Sequence, residues 1–207
     1  MSSTLFTRLC VLFITAMLVS NIIAAKMISL GPLIVPAAVL VFPITYILSD
    51  VFSEVYGYRA SRITAWYAFG ANLLMVVFFK LAILLPGAPF WSEEAQKAFE
   101  ATLGGTWRIL IASLTAYMAG DFINDVIFKK MKEKQGQKRF GVRAILSSMV
   151  GNAVDSFVFI TIAFWGTPLF SYAVIPSQWG IKILYEIVFL PVTILVVKKL
   201  REKEGKN

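Results

Sequence analysis

Asp50 and Glu54, Asp121 and Asp125, Asn152 and Asp155, and the lone Glu186 all stand inside long apolar runs. A carboxylate can accept two parallel N–H donors with its two oxygens, and an asparagine amide both donates and accepts. A carboxyl group removed from water also holds its proton more tightly, which suits it to proton coupling. Recognition of a small polar ligand and movement of protons are therefore the chemistries on offer. Histidine-dependent catalysis and metal binding are not. The chain has no histidine, which excludes a Ser-His-Asp triad and the usual histidine-based zinc sites. Cys10 is the only cysteine, so no disulfide forms within the chain. No G-x-x-x-x-G-K-[ST] loop occurs, so ATP hydrolysis by a Walker mechanism is absent. No cofactor and no metal are expected.

The elements that must position these groups are set by lipid. Of 207 residues, 58% are hydrophobic and only 15% charged, with a mean hydropathy of +0.74. A soluble surface of that size needs more charge, so the bilayer is the solvent. Six segments of about 20 residues can each span it: Leu5 to Ala25, Pro36 to Tyr56, Ile63 to Leu85, Thr106 to Phe128, Arg143 to Trp165 and Trp179 to Leu200. The expected fold is all-α, a polytopic membrane protein with six transmembrane helices forming one domain over residues 1–207. The connection from Pro86 to Gly105 has room for one short interfacial helix. The first segment reads as a span and not as a signal peptide, because no A-x-A site precedes Lys26 and the run carries Ser20 and Asn21.

A net charge of +8 invites a nucleic-acid reading, yet the positions of the charges favour topology. With both termini inside, the cytoplasmic segments hold Arg8, then Arg59 and Arg62. They also hold Lys129, Lys130, Lys132, Lys134, Lys138, Arg139 and Arg143, and then Lys198, Lys199, Arg201, Lys203 and Lys206. Only Lys26, Lys80, Lys97, Arg108 and Lys182 remain on or near the outer side. That is the positive-inside pattern, and direct nucleic-acid binding is not expected.

A charge deep in the bilayer costs roughly 2.5 to 3.5 kcal/mol on insertion scales, so each should face the bundle interior. At about 1.5 Å per residue, Asp50 lies about 13 Å in from Arg59 and Asp121 about 12 Å in from Lys129. On the same rise, Asp155 and Glu186 lie about 18 Å from Arg143 and Lys198, whereas Glu54 and Asp125 sit only about 6 to 8 Å deep, where rim cations can meet them. Spacings of three and four place Tyr46, Asp50, Ser53, Glu54 and Gly57 on one face of the second segment. Tyr117, Asp121, Asn124 and Asp125 share a face of the fourth, and Ser148, Asn152, Asp155 and Ser156 a face of the fifth. Asn21, Asn72 and Glu186 add single polar groups elsewhere. Hydrogen-bonded polar glue between helices accounts for individual members. Four deep acids with few deep cations fit a water-accessible cavity better, with Lys182, one turn before Glu186, as the nearest local partner.

Three smaller patterns accompany these stripes. "GDFINDVIF" from Gly120 echoes "GNAVDSFVF" from Gly151 in segments that run in opposite directions, as an inverted repeat would. "FPIT" and "LPVT" place Pro43 and Pro191 inside the second and sixth segments, where proline kinks a helix and frees a carbonyl. Ala16, Ser20 and Ala24 form a small-residue ridge that suits close packing within the bundle or docking of a partner. An intramembrane aspartyl protease is a competing class, but Met118-Ala119-Gly120-Asp121 lacks the first glycine of its G-x-G-D motif and Ser49 replaces the usual tyrosine before Asp50. A structural membrane subunit is a third.

Four ordered blocks, "FPITYILSDVFSEVYGYRASR", "GDFINDVIFKKMK", "SSMVGNAVDSFVFITIAFWG" and "KILYEIVFLPVT", resemble the queuosine precursor transporter family, also called the vitamin uptake transporters. The resemblance covers nearly the whole chain. It implies import of queuine or its cyano or aminomethyl deazaguanine precursors across a bacterial or archaeal inner membrane. It also implies likeness to the six-helix substrate-binding subunits of energy-coupling-factor transporters, in a protein that works without the ATPase module. Partner-dependent import through the small-residue ridge is the runner-up, and self-association is left open. For such a ligand, Asp155 or Glu186 is the expected bidentate carboxylate, with Asn152 and Asn124 as amide readers. Tyr46 or Tyr185, or one of Phe122, Phe128, Phe157 and Phe159, would stack on the ring. Asp50 and Asp121 are the expected gating or proton-coupling groups, with Glu54, Asp125 and Asn72 ranked below them.

Overall fold

The computed structural model describes residues 4–135 and 140–203, without the side chains of residues 132, 134, 135 and 140–144. Its order is α1 (Thr4–Ile23), strands β1 (Met27–Leu30) and β2 (Leu33–Pro36), a 3-10 turn (Ala37–Leu40), α2 (Phe42–Val51) and a π turn (Phe52–Tyr56). There follow α3 (Tyr58–Leu84), α4 (Glu93–Leu103), α5 (Thr106–Gln135), α6 (Phe140–Phe164) and α7 (Val174–Lys203). Among the described residues, five helical stretches are long and apolar enough to cross a membrane: Thr4–Ile23, Tyr58–Leu84, Glu93–Met131, Ile145–Phe164 and Val174–Lys203. Leu73, Leu74, Val77, Phe78 and Leu81 on α3, and Ile187, Val188, Ile194 and Leu195 on α7, are exposed. Lipid, not water, stabilises helices with such surfaces. The chain is a multi-pass membrane protein. Lys138, Arg139 and Lys206, and the side chains of Lys132, Lys134 and Arg143, on which the orientation partly leans, lie outside the described residues.

The second expected segment departs from a plain span. Pro43 stands in the first turn of α2, where a missing N–H costs nothing, so it starts the helix and does not kink it. The Phe52 N–H is shared between the Leu48 and Ser49 carbonyls, and the backbone widens into the π turn without a break. The ten residues of α2 and five of the π turn make a rod of about 22 Å, short of the roughly 30 Å hydrocarbon core. Gly57, with φ 88°, ends the rod in a conformation that glycine adopts freely. Pro191, by contrast, does lie inside α7.

The all-α expectation also omits a β-hairpin. Its two strands join through Gly31, whose φ of 61° is the left-handed first position that a two-residue glycine turn uses. As expected for the Pro86 to Gly105 connection, a short helix forms there. The Ser92 side chain caps α4 by accepting from the Ala95 N–H at 3.1 Å, with Glu93 and Glu94 in the positive first turn.

The chain divides into two compact units. The first runs to Lys26, then through Pro36–Leu110, and resumes at Leu184; Phe13, Leu48, Phe52 and Ala68 form its core, with the Phe6 and Phe13 rings edge-on to Phe52. In it Ala16, Ser20 and Ala24 are all buried, so the small-residue ridge serves packing within the chain. The second unit comprises Met27–Val35 and Ile111–Ile183, and its core joins Ala112, Ile160, Ala163, Phe164 and Val174, with Met27 from the hairpin against it.

Asn72, fully buried in the first unit, accepts from Asn21 Nδ2 at 2.6 Å and donates to the Ala68 carbonyl at 2.8 Å. It ties α1 to α3. Asn72→Leu leaves the Asn21 amide without that acceptor and should cost about 1 to 2 kcal/mol. Thermal unfolding in detergent reads the effect; an unshifted midpoint would show that the pair contributes nothing to stability.

Candidate functional site

The polar residues gather in two places, one in each unit. In the second unit, α5 and α6 run antiparallel and meet at two glycines. A Cβ on Gly120 would stand 3.0 Å from the Gly151 carbonyl oxygen and 3.0 Å from Asp155 Cβ. A Cβ on Gly151 would stand 2.9 Å from the Gly120 carbonyl oxygen and 3.0 Å from Asn124 Cβ. The contact is reciprocal. Each glycine faces the residue four positions beyond the other, so the two echoing segments are related by a local two-fold axis. Only glycine permits backbones to approach so closely, and the approach brings Asn124 and Asp155 to one crossing.

Across from that crossing, the Lys182 ammonium on α7 donates to Asp155 Oδ2. Lys182, for which the sequence offers Glu186 as the local partner, is buried and reaches a different helix as well. The Asp155 side chain keeps 23% of its surface accessible while that of Lys182 keeps 8%, so the carboxylate is the more open member of the pair. Asn152, one turn before Ser156 on α6, is half-buried, as are Asp121 and Asn124; Asp125 is exposed. One turn from Lys182, Gln178 is almost wholly buried, and its Oε1 has no hydrogen-bond partner among the described residues; the same holds for Ser156 Oγ. Ser156 belongs to the polar face read on the fifth segment, whereas Gln178 does not stand out in the sequence. The signal for Gln178 is its spacing of four from Lys182 on one face of α7.

In the first unit, Asp50 on α2 lies within electrostatic reach of Glu186 on α7 and of Glu54 in the π turn. All three side chains are accessible. Arg201 closes the cluster, donating through Nη2 to Glu54 Oε2 at 2.7 Å and to the Glu54 carbonyl at 2.9 Å. Glu54 thus meets a rim cation, as its shallow position suggested. Tyr46 packs its ring on Phe42 at 5.7 Å between centroids, and Tyr185 lies edge-on to Phe189 at 5.8 Å. Asn72 belongs to the α1–α3 pair and not to this cluster.

The model of the family described as "Putative vitamin uptake transporter" matches residues 36–196, which include both clusters. The chain belongs to the vitamin uptake transporter family. Among its relatives is a "Probable queuosine precursor transporter" of Haemophilus influenzae, 27% identical over 126 residues, which are 61% of this chain and 50% of that protein. Another, with the same description, comes from Bacillus subtilis and is 25% identical over 148 residues, 71% of this chain and 64% of that protein. The chain therefore spans half to just under two thirds of these relatives' lengths. No solved structure matches it.

For this vitamin uptake transporter family member the glycine crossing makes a sharp prediction. Gly151→Ala puts a methyl 2.9 Å from a backbone oxygen that cannot swing aside, and should destabilise by about 1 to 3 kcal/mol. Gly70→Ala, mid-helix on α3 with open space around it, should be neutral or slightly stabilising. Melting midpoints of the two variants in detergent, compared with the parent, decide whether close approach or glycine content matters.

Proposed function

We propose that the protein imports a queuosine precursor, a 7-deazaguanine, across the cytoplasmic membrane, and that the α5–α6 crossing holds its ring. The observation that carries this reading is the reciprocal Gly120–Gly151 contact, which brings an amide and a carboxylate from different helices together inside the membrane-spanning region. A deazaguanine offers a ring N–H beside an exocyclic amine, the pair of donors a carboxylate accepts with both oxygens. Asp155 takes that role. Asn124 and Asn152 read the carbonyl edge. The relatives' descriptions and the family match support the substrate class.

Asp50 with Glu186, and Asp121 on α5, we assign to gating and proton coupling, because Asp50 stands within electrostatic reach of two further carboxylates, Glu186 and Glu54, and a carboxyl group is the side chain here that can take up and release a proton. Import is proposed to run without an ATPase module. The ridge on α1 that would serve docking is buried against the chain itself.

Uptake of a labelled deazaguanine by cells that lack both their own carrier and any energy-coupling ATPase tests the proposal. The parent should restore uptake. Asp155→Asn and Asn152→Ala, at equal membrane expression, should lower it at least tenfold, about the worth of one charge-assisted hydrogen bond. Full uptake by both variants would remove the pocket from the crossing, and uptake that needs a coexpressed ATPase module would replace the autonomous carrier with a binding subunit.

A further inference from the structure

Resting on that reading of the crossing, we infer that Lys182 is a specificity-determining residue that sets which charge the ligand can carry. The Lys182 ammonium is held against Asp155, on the carboxylate that the proposed ring would occupy, and it is the more buried of the two. A ligand approaching the open side of Asp155 therefore meets a carboxylate already backed by a fixed positive charge. An uncharged ring with two N–H donors can share that carboxylate. A ligand with its own ammonium group is repelled by Lys182, and in the low dielectric of the bundle a unit charge within a few ångströms changes affinity by about tenfold or more.

The neighbourhood supplies what such an arrangement requires. Asp121 follows Gly120 on α5 and Asp125 lies one turn beyond, so α5 adds acids and no cation within about a turn of the crossing, and Lys182 is the cation shown beside Asp155. Gln178 lies four residues before Lys182 on α7, with its buried Oε1 lacking a partner among the described residues. An i, i+4 pair on a helix is within hydrogen-bond reach. That oxygen gives the ammonium a second acceptor when a ligand takes one oxygen of Asp155, so the lysine can yield ground without being left unsatisfied in the core.

The test is binding to the purified full chain in detergent, by calorimetry, of two probes that share one ring: the uncharged 7-cyano-7-deazaguanine and the cationic 7-aminomethyl-7-deazaguanine. The readout is the ratio of their affinities. Lys182→Gln should shift this ratio toward the cationic probe by about tenfold or more. Because that change strands Asp155, a second variant combines Lys182→Gln with Asp155→Asn; it restores local neutrality and should return the ratio to within a few fold of the parent. A ratio unchanged in Lys182→Gln, with both probes still binding, overturns the role of Lys182 and leaves the carrier reading intact. Binding of neither probe to the parent overturns both.

Discussion

Two helix backbones in contact at Gly120 and Gly151 are the constraint from which the second unit's polar chemistry follows. In lipid there is no water to push helices together, so close association depends on dispersion contacts and on hydrogen bonds that are unavailable elsewhere. Removing two side chains at the crossing lets the main chains touch. The same geometry then dictates what lies one turn away on each side, and in both directions the sequence supplies a short Asx side chain, Asn124 or Asp155. Longer residues would hold the helices apart. The crossing and its polar neighbours are one construction.

The two charged clusters are built differently. Asp155 and Lys182 are largely removed from solvent, so breaking that pair leaves an uncompensated charge and is expensive, whereas the bond between them contributes little net stability. Glu54 and Arg201 are about half accessible, and such pairs contribute at most a fraction of a kcal/mol once solvent screens them, about 0 to 1 kcal/mol. What Arg201 does supply is geometry, since it grips both the side chain and the backbone carbonyl of Glu54 in the π turn. One pair fixes a charge in the interior; the other fixes a segment at the rim.

Much of this is legible in the sequence. Long apolar runs are demanded by the bilayer, so α1, α3, α5, α6 and α7 follow from composition, and the stripes on α2, α5 and α6 from spacings of three and four. The Gly120 and Gly151 echo was visible as a pattern, but that its two copies touch depends on helix register, which no single segment encodes. Lys182 shows the same limit: within its own helix the neighbour is Glu186, and only packing reveals Asp155. The hairpin was hidden because "ISL" and "LIV" around Gly31-Pro32 are as apolar as the spans they separate, so hydropathy draws no border there. Pro43 misled for a related reason, since a proline reads alike at the start of a helix and within it.

The wide turn at Phe52–Tyr56 makes chain length itself a structural parameter. A π turn accommodates one residue more than the α-helix it interrupts, and each α-helical residue rotates the chain by about 100°. Loss of a single residue inside the turn therefore lets the rod relax to regular winding with Asp50 and Gly57 near their original register, whereas loss of one from regular α-helix swings the side chains beyond it by about 100°. A change in residue count is thus absorbed most readily at this point, where the extra residue is already housed.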